Sequence, residues 1–277
     1  MEERIGPKPK SLRMSRLWRR PGGLFIVPMD HSVSDGPVAT ATDFSALVET
    51  LVASGVDAIV VHKGRLRAID PVALASCAVI VHLSASTRHA PDADAKVLVS
   101  SVEHAVRLGA DAVSVHVNVG SETEAEQLRD LGLVAEACDA WNMPLLAMMY
   151  PRGARIADPY APEVIAHVAA LAADLGADVV KTPFTGSTAT MAGVVESCPL
   201  PLVIAGGPPG DGDDVLEMTR AAMRAGVRGV AIGRRVFTAP APVGTARAIA
   251  EIVHGGAELA AAHPTLAGSR AGMGGMR

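Results

Sequence analysis

The chain has 277 residues, a formal net charge of −4 at pH 7, and three scattered cysteines, Cys77, Cys138 and Cys198. This charge gives no basic footprint for nucleic acid, and an odd number of scattered cysteines indicates a reducing compartment rather than a disulfide framework. No apolar stretch is long enough to span a bilayer, and the basic first twenty residues lack the apolar segment of a signal peptide. We therefore expect a cytoplasmic protein without nucleic-acid or membrane partners.

Short runs of β-branched residues recur along the chain and predict eight strands. These are Leu24–Asp30, Ala58–His62, Val79–Leu83, Ala112–Val117, Leu145–Tyr150, Val179–Thr182, Leu202–Gly207 and Gly229–Gly233. Apolar residues make up 49% of the chain but aromatic residues only 3%, so the core must consist mainly of Ala, Val, Leu and Ile. Such a core is typical of parallel strands covered by alanine-rich helices.

Helical segments with capping residues lie between most of these strands. The predicted helices are 44–53 after Asp43, 95–108 after Asp92 or Asp94, a helix to Ala140 opened by a capping box of Ser121 and Glu124, 163–175 after Pro162, and 214–225 after Asp213. The helical pattern between the second and third predicted strands is the weakest, because residues 65–76 form a short segment that includes Pro71.

A weak internal repeat supports this division of the chain. The segments SGVDAIV (54–60), LGADAVS (108–114), LGADVVK (175–181) and AGVRGVA (225–231) each join a helix-ending glycine to a strand. Repeated αβ units with eight strands predict a (β/α)8 TIM barrel, with a doubly wound open sheet as the alternative. We expect one barrel domain over residues 1–255, including a basic N-terminal arm that covers one end, and a flexible tail over 256–277.

Function in such a barrel gathers where the strands end. Lys181 ends the sixth predicted strand within the apolar segment GADVVKT (176–182). A buried lysine is costly unless it is paired or used, although the side chain could also extend past the strand end into solvent. A lysine attacks a carbonyl only as a free amine, a form that burial or a cationic neighbour favours.

Two further strand ends carry groups suited to proton transfer. Tyr150 could donate or accept a proton while an imine forms on Lys181, and Asp30 could hold a substrate hydroxyl or relay a proton. Lys63 is a rival nucleophile at the end of the second strand, but it is expected to face solvent or contact substrate instead.

The loops after the last two strands predict a phosphate site. Gly206-Gly207 and Gly233-Arg234 follow these strands, glycines allow backbone N–H groups to approach a phosphate, and an arginine can add a bidentate contact. A competing hypothesis is a metal site, since His62, His82 and His116 end or nearly end three consecutive strands. No tight metal-ligand spacing accompanies these histidines.

Seven segments together resemble the archaeal-type class I fructose-bisphosphate aldolase family. They are VPMDHSVSDGP (27–37), HLSAST (82–87), GADAVSVHVNVGS (109–121), MPLLAMMYPRG (143–153), GADVVKT (176–182), VIAGGP (203–208) and VAIGRR (230–235). The likeness runs in order from about residue 10 to residue 254. Within the family it is strongest to the branch of 2-amino-3,7-dideoxy-D-threo-hept-6-ulosonate synthases and related bacterial enzymes of aminohydroxybenzoate synthesis.

The resemblance implies a role for each matching residue. Lys181 would form the Schiff base, Tyr150 would be the proton donor, and Asp30 the acid/base partner. The substrate-contacting positions would be His31, Ser32, Val33, Ser34, Pro151, Arg152, Gly206, Gly207, Gly233 and Arg234. Some family members have glycine after the histidine where this chain has Ser32, a difference that would affect the fit of the acceptor.

The resemblance also implies a reaction. A phosphorylated ketone, either dihydroxyacetone phosphate or a deoxy-hexodiulose phosphate, would condense with L-aspartate semialdehyde to a precursor of 3-amino-4-hydroxybenzoate or 3-dehydroquinate. No cofactor or metal is implied, and the family assembles into large homo-oligomers such as pentamers or decamers. Fructose-1,6-bisphosphate aldolase activity and a non-catalytic phosphosugar-binding barrel are the alternatives. The acceptor would be selected by loop residues, with Ser32, Ser34, Arg88, His89 and Arg152 as candidates.

Overall fold

The structure, a computed structural model, describes residues 9–39, 43–207 and 214–255. Its centre is a closed barrel of eight parallel strands in which each strand pairs with its neighbours along the chain. The strands are β1 (Leu24–Pro28), β2 (Ala58–Val61), β3 (Ala78–His82), β6 (Ala112–Val119), β7 (Leu145–Pro151), β8 (Val179–Thr182), β9 (Leu202–Ala205) and β10 (Gly229–Ala231). Pairing of Leu24 with Gly229 closes the barrel, so the TIM-barrel prediction is confirmed and the open sheet is wrong.

Helices surround this barrel, and a small two-stranded ribbon is added to one of its loops. The helices are α1 (Pro9–Leu17), α2 (Phe44–Ala53), α3 (Lys63–Leu66), α4 (Val102–Arg107), α5 (Glu124–Ala140), α6 (Pro162–Asp174), α7 (Thr188–Ser197), α8 (Val215–Arg224), α9 (Arg234–Phe237) and α10 (Pro242–His254). The antiparallel ribbon pairs β4 (Ser84–Ala85) with β5 (Val97–Leu98). Within the described ranges, no helix is both long and apolar enough to cross a membrane.

Alternation along the strands divides the apolar residues into two cores. One face of each strand packs against the surrounding helices, while the other face fills the barrel interior with small and aliphatic side chains such as Ile26, Val60 and Ala112. Leu17 of α1 is buried in this inner core, and Met14 and Trp18 pack beside it. The helix α1 thus closes the amino-terminal end of the barrel, which leaves the carboxyl-terminal end open for a site.

The aspartates of the internal repeat hold that closed end together. Asp57, Asp111 and Asp178 each accept a hydrogen bond from a backbone N–H near the start of the preceding barrel strand. The donors are the N–H groups of Phe25, Val79 and Leu145, in that order. Each aspartate also pairs with a basic residue of the N-terminal segment: Arg20 at 2.5 Å, Arg16 at 3.3 Å and Lys10 at 3.0 Å respectively. The basic composition of this segment therefore has a structural reason.

One predicted helix and one predicted helix cap are wrong, and both errors have local causes. The predicted helix over 95–108 is reduced to α4, which begins after Ser101, whose side chain caps the N–H of His104. Asp92 instead accepts from the N–H of Asp94 in a turn. The predicted capping box does not form, because Glu124 accepts from the N–H of Gly120.

Of the other predicted helix starts, those of α2 and α6 agree with the structure, and α8 begins one residue later than predicted. Helix α6 begins at Pro162, and α8 is capped by the side chain of Asp214, which accepts from the N–H of Leu216. Asp213 and the tail predicted over 256–277 lie outside the described residues.

We expect the substitution Asp57→Asn to destabilise the fold strongly. Asp57 is 2% exposed and contacts Arg20, His254 and the N–H of Phe25, so neutralising it removes a buried charge that holds the Arg20 guanidinium and weakens a buried hydrogen bond. The free energy of unfolding, measured with urea, should fall by roughly 3 kcal/mol. Asp111→Asn is the matched control, because the Arg16 side chain is half exposed, and it should cost about 1 kcal/mol or less. Equal losses would contradict this account.

Candidate active site

Two adjoining cavities open at the carboxyl-terminal end of the barrel. The larger has a volume of about 900 Å³ and the smaller about 300 Å³. Lys181 and Tyr150 line both, so the two cavities form one cleft with the lysine at their junction. This is the end at which TIM barrels carry their active sites.

Lys181 lies inside the barrel. Its residue is 7% exposed, which excludes the alternative that it extends into solvent. The Nζ atom lies 4.0 Å from the Met148 sulfur and 5.8 Å from the centre of the Tyr150 ring. Among the described residues, no carboxylate lies within ion-pair distance of this amine. Without a carboxylate partner, the Lys181 nitrogen is available to react with a substrate in the cleft.

Two side chains pack against the ring of Tyr150. Its ring stacks on His116 at a centroid distance of 4.8 Å, and the Arg152 guanidinium carbon lies 4.8 Å from the ring centre. Strand pairing places Met148 beside Lys181, and Tyr150 follows two residues later on the same face. The tyrosine is therefore fixed at the mouth of the cleft, above the lysine.

Asp30 faces the lysine from the turn that follows β1. One carboxylate oxygen lies 3.8 Å from His82 Nε2 and the other 3.7 Å from His31 Nδ1. Burial alone would raise the pKa of Asp30, but attraction to Lys181 and to the protonated forms of His82 and His31, which exist at the acidic pH where Asp30 would titrate, outweighs it and holds the pKa well below its usual range. The buried Asp30 Oδ1 and His31 Nδ1 lack hydrogen-bond partners among the described residues. Asp30 thus presents an ionised carboxylate to the cleft.

The two glycine loops that the sequence predicts to bind phosphate both line the larger cavity, as Lys181 does. A Cβ on Gly233 would lie 2.4 Å from the Pro28 carbonyl oxygen, and one on Gly206 would lie 2.8 Å from Ile232 Cγ2, so neither position has room for a side chain. Gly207 has a φ of +70°, which also favours glycine. Arg235 donates to the Gly206 carbonyl at 3.2 Å and so joins the two loops.

Arg234 connects these loops to the segment after β1. Its Nη1 lies 3.1 Å from an Asp35 carboxylate oxygen, and the arginine lines both cavities. The structure therefore brings together most of the substrate-contacting positions that the sequence predicts. The larger cavity is lined by Pro151, Gly206, Gly207 and Gly233, the smaller by Val33 and Ser34, and both by His31, Arg152 and Arg234.

A few predicted positions fall outside the cleft. Ser32 lies in the turn after Asp30, and neither it nor His89 lines either cavity. Lys63 begins α3 and its amine donates to the Val99 carbonyl, away from both cavities. Arg88, by contrast, lines the smaller cavity.

The three strand-end histidines do not converge on one point. His116 Nε2 pairs with Asn118 Oδ1 at 2.8 Å, and His82 Nδ1 pairs with Ser114 Oγ at 2.8 Å. His62 meets the edge of His82, with ring centroids 5.3 Å apart. Among the described residues, no group of three histidine, cysteine or acidic side chains is placed to hold a metal ion.

Burial keeps these imidazoles uncharged near neutral pH. It lowers the pKa of His82 to about 4, and the neighbouring Asp30 carboxylate only partly offsets the effect. Burial likewise holds the pKa of His116 well below its usual range, and it lowers the pKa values of His31 and His62. The cleft therefore combines one central carboxylate with neutral imidazoles and peripheral cations.

Sequence reasoning missed several residues of the smaller cavity. Asp35, Asp94 and Lys96 all line it. Lys96 was missed because residues 95–108 carry a helical pattern, although the run of β-branched and apolar residues in KVLV (96–99) is the signal that could have shown a strand. Asp94 was read only as a helix cap.

Comparisons with known proteins agree with this geometry. Residues 24–239 match the DeoC/LacD family aldolases. The 2-amino-4,5-dihydroxy-6-oxo-7-(phosphonooxy)heptanoate synthase of Streptomyces griseus is 51% identical over 96% of this chain and 97% of its own length. The 2-amino-3,7-dideoxy-D-threo-hept-6-ulosonate synthase 1 of Archaeoglobus fulgidus is 44% identical over 89% of this chain and 91% of its own.

A solved structure extends the likeness to three dimensions. It is an archaeal fructose-1,6-bisphosphate aldolase whose catalytic lysine is covalently bound to the carbinolamine intermediate of its substrate. It matches with a TM-score of 0.81 and 28% identity, covering 89% of this chain and 100% of the other. The fold and these matches define an aldolase. The chain belongs to the DeoC/LacD aldolase family, which confirms the resemblance seen in the sequence.

We predict that His82 makes stability depend on pH. Its pKa falls from 6.5 to about 4 on folding, so between these values the unfolded chain binds the extra proton and stability decreases as the pH falls. Urea unfolding at pH 7 and pH 5 should show this loss, and His82→Gln should reduce it by roughly 1–2 kcal/mol. His89→Gln, at an exposed position, is the control. An unchanged loss in His82→Gln would contradict the prediction.

Proposed function

We propose that this aldolase forms a Schiff base between Lys181 and dihydroxyacetone phosphate and joins this donor to L-aspartate semialdehyde. The product would be 2-amino-4,5-dihydroxy-6-oxo-7-(phosphonooxy)heptanoate, the compound in the name of the Streptomyces griseus relative. The observation that carries the proposal is the position of the buried Lys181 amine at the junction of the two cavities. One cavity suits a phosphate, and the other is lined by acidic and basic groups.

The first half of the reaction would occur on the donor. The phosphate group would rest on the glycine loops 206–207 and 233–234, which brings the ketone to Lys181. The amine adds to the carbonyl to give a carbinolamine, and loss of water gives an imine. Tyr150 would protonate the departing hydroxyl, and Asp30, already ionised, would receive protons from the lysine or the substrate. The carbinolamine on the catalytic lysine of the archaeal aldolase supports this order.

The second half would form the new carbon–carbon bond. Loss of a proton from the donor carbon that carries the free hydroxyl converts the imine to an enamine. That carbon attacks the aldehyde of the acceptor, whose oxygen takes up a proton to become a hydroxyl. Water then hydrolyses the imine, releases the product and restores the lysine. Three donor carbons and four acceptor carbons account for the seven-carbon chain of the product.

Fructose-1,6-bisphosphate aldolase activity is the less favoured alternative. It would require the smaller cavity, which is lined by the carboxylates of Asp30, Asp35 and Asp94 together with five lysine and arginine side chains, to accept a second phosphate. The identity of 51% to the heptanoate synthase, against 28% to the archaeal fructose-1,6-bisphosphate aldolase, points the same way. A coupled assay that offers each aldehyde with dihydroxyacetone phosphate separates the two activities.

We further infer that the enzyme works in the cytoplasm as a homo-oligomer. The three cysteines are free thiols in the structure, as a reducing compartment would keep them. Leu133 and Trp141, in and directly after α5, are 55% and 46% exposed and offer an apolar contact surface. Light scattering of the purified protein measures the assembly, and a monomer would contradict the inference.

Lys181→Met should abolish imine formation. Borohydride added with dihydroxyacetone phosphate should leave a stable adduct on Lys181 of the wild-type protein, detected by intact mass and peptide mapping. The variant should show no adduct and should lose condensation activity by about 10⁴-fold or more. Lys63→Met is the matched control and should retain both. A wild-type protein whose mass does not change would refute the Schiff-base mechanism.

Tyr150→Phe should slow the chemistry without disturbing the fold. The phenyl ring keeps the contacts with His116 and Arg152, whereas the hydroxyl that transfers protons is lost. We expect kcat to fall by about 10²–10³-fold while the urea midpoint changes little. A wild-type kcat in this variant would assign the proton donor elsewhere.

A further inference from the structure

The smaller cavity carries an unusual mixture of charges close to Lys181. It is lined by Lys181 and by residues of the β1 loop, the β4–β5 ribbon and the ends of β6 and β7. Its charged lining residues are Asp30, Asp35, Arg88, Asp94, Lys96, Arg152, Lys181 and Arg234. A site with both signs of charge is suited to a ligand that carries both.

Most of these cations already have carboxylate partners. Arg234 and Arg88 both pair with Asp35, at 3.1 Å and 3.7 Å. Arg152 lies 3.6 Å from Asp94. Apart from the nucleophile Lys181, Lys96 is the one charged lysine or arginine of this lining without a carboxylate in ion-pair distance among the described residues.

The amine of Lys96 is half-buried and only partly satisfied. It donates to Ser86 Oγ and, at 3.1 Å, to the Ala93 carbonyl. An ammonium group has three donors, so one remains for a ligand in the cavity. Burial, followed by the positive charge of Arg152, lowers the pKa of Lys96. An anion bound beside Lys96 and Arg152 would raise the pKa of Lys96 again and so favour its ammonium form.

The segment that carries Lys96 is firmly placed. Ser84 pairs with Leu98 in the β4–β5 ribbon. The Asp94 carbonyl accepts from the side-chain amides of Asn118 at 2.8 Å and Gln127 at 2.9 Å. Both amides belong to buried residues, so the ribbon is anchored to β6 and α5. The charges are therefore in position before a ligand arrives, which reduces the ordering cost of binding.

We propose that Lys96 selects the acceptor by binding the α-carboxylate of the amino-acid semialdehyde, and that the Asp94 carboxylate binds its α-ammonium group. This inference rests on the proposed function and adds the residues that determine its specificity. Arg152 lies beside both groups and completes the carboxylate contact. A phosphorylated aldehyde carries no ammonium group for Asp94, so it would lack this contact of the amino-acid semialdehyde.

Four acceptor aldehydes test the carboxylate contact and the ammonium contact independently of each other. L-Aspartate semialdehyde carries both groups, succinate semialdehyde only the carboxylate, 3-aminopropanal only the ammonium, and propanal neither. Lys96→Met should lower kcat/KM about 10–100-fold for the two acceptors with a carboxylate and leave the other two unchanged. Lys96→Arg should restore part of the loss. Asp94→Asn should lower kcat/KM for the two acceptors with an ammonium group and spare succinate semialdehyde.

Controls distinguish this inference from the function on which it rests. Borohydride trapping with dihydroxyacetone phosphate needs no acceptor, so Lys96→Met should form the adduct as the wild type does. Lys63→Met, at a half-buried lysine that also donates to a backbone carbonyl but lies outside the cavity, should keep wild-type values for all four aldehydes. Lys96→Gln repeats the test if the methionine variant does not fold.

Two results would overturn the proposal. One is an equal loss for all four aldehydes in the Lys96 variants, which would make the residue a structural support. The other is no loss for any aldehyde. If the wild-type protein itself forms no adduct with dihydroxyacetone phosphate, the proposed function fails first, and the comparison of aldehydes is then made with the donor ketone that does form one.

Discussion

The site depends on an amine held inside a closed barrel without an acidic partner of its own. A carboxylate in contact with Lys181 would stabilise the ammonium form, which cannot attack a carbonyl. Asp30 is instead engaged by His82 and His31 and stays beyond ion-pair distance of the lysine. Around the lysine, the barrel wall supplies Met148 and the ring of Tyr150. The acid and the amine therefore share one cleft without neutralising each other.

The two ends of the barrel use charge in different ways. At the amino-terminal end, Asp57 and its counterparts are bound to backbone N–H groups and to cations, and they hold helix α1 in place. At the carboxyl-terminal end, the pairs of Arg88 with Asp35 and of Arg152 with Asp94 are 3.7 Å and 3.6 Å long, and their side chains are about half exposed. Loose pairs can be exchanged for contacts with a ligand at little cost, whereas the tight ones cannot. Stability and chemistry are thus separated along the barrel axis.

The sequence predicted those parts of the site that lie on regular strands. Lys181, Tyr150 and the glycines after β9 follow from strand periodicity, because a parallel barrel places all strand ends on one rim. The β4–β5 ribbon could not be predicted in this way, since its short strands pair with each other and its loop is fixed by distant amides of Asn118 and Gln127. Lys96 was missed for that reason. The pattern of neighbouring residues carries no information on contacts between residues that are far apart in the sequence.

The repeat aspartates have a further consequence, which concerns the order in which the chain is made. Lys10, Arg16 and Arg20 leave the ribosome before their partners, because the carboxylates that pair with them lie further along the chain, the last being Asp178. During synthesis the arm must stay solvated, and its basic composition suits that state. It can dock fully only when the sixth barrel strand has joined the sheet. The basic segment is therefore synthesised before the barrel but completes its ion pairs only late, and it connects early and late repeats of the chain to each other.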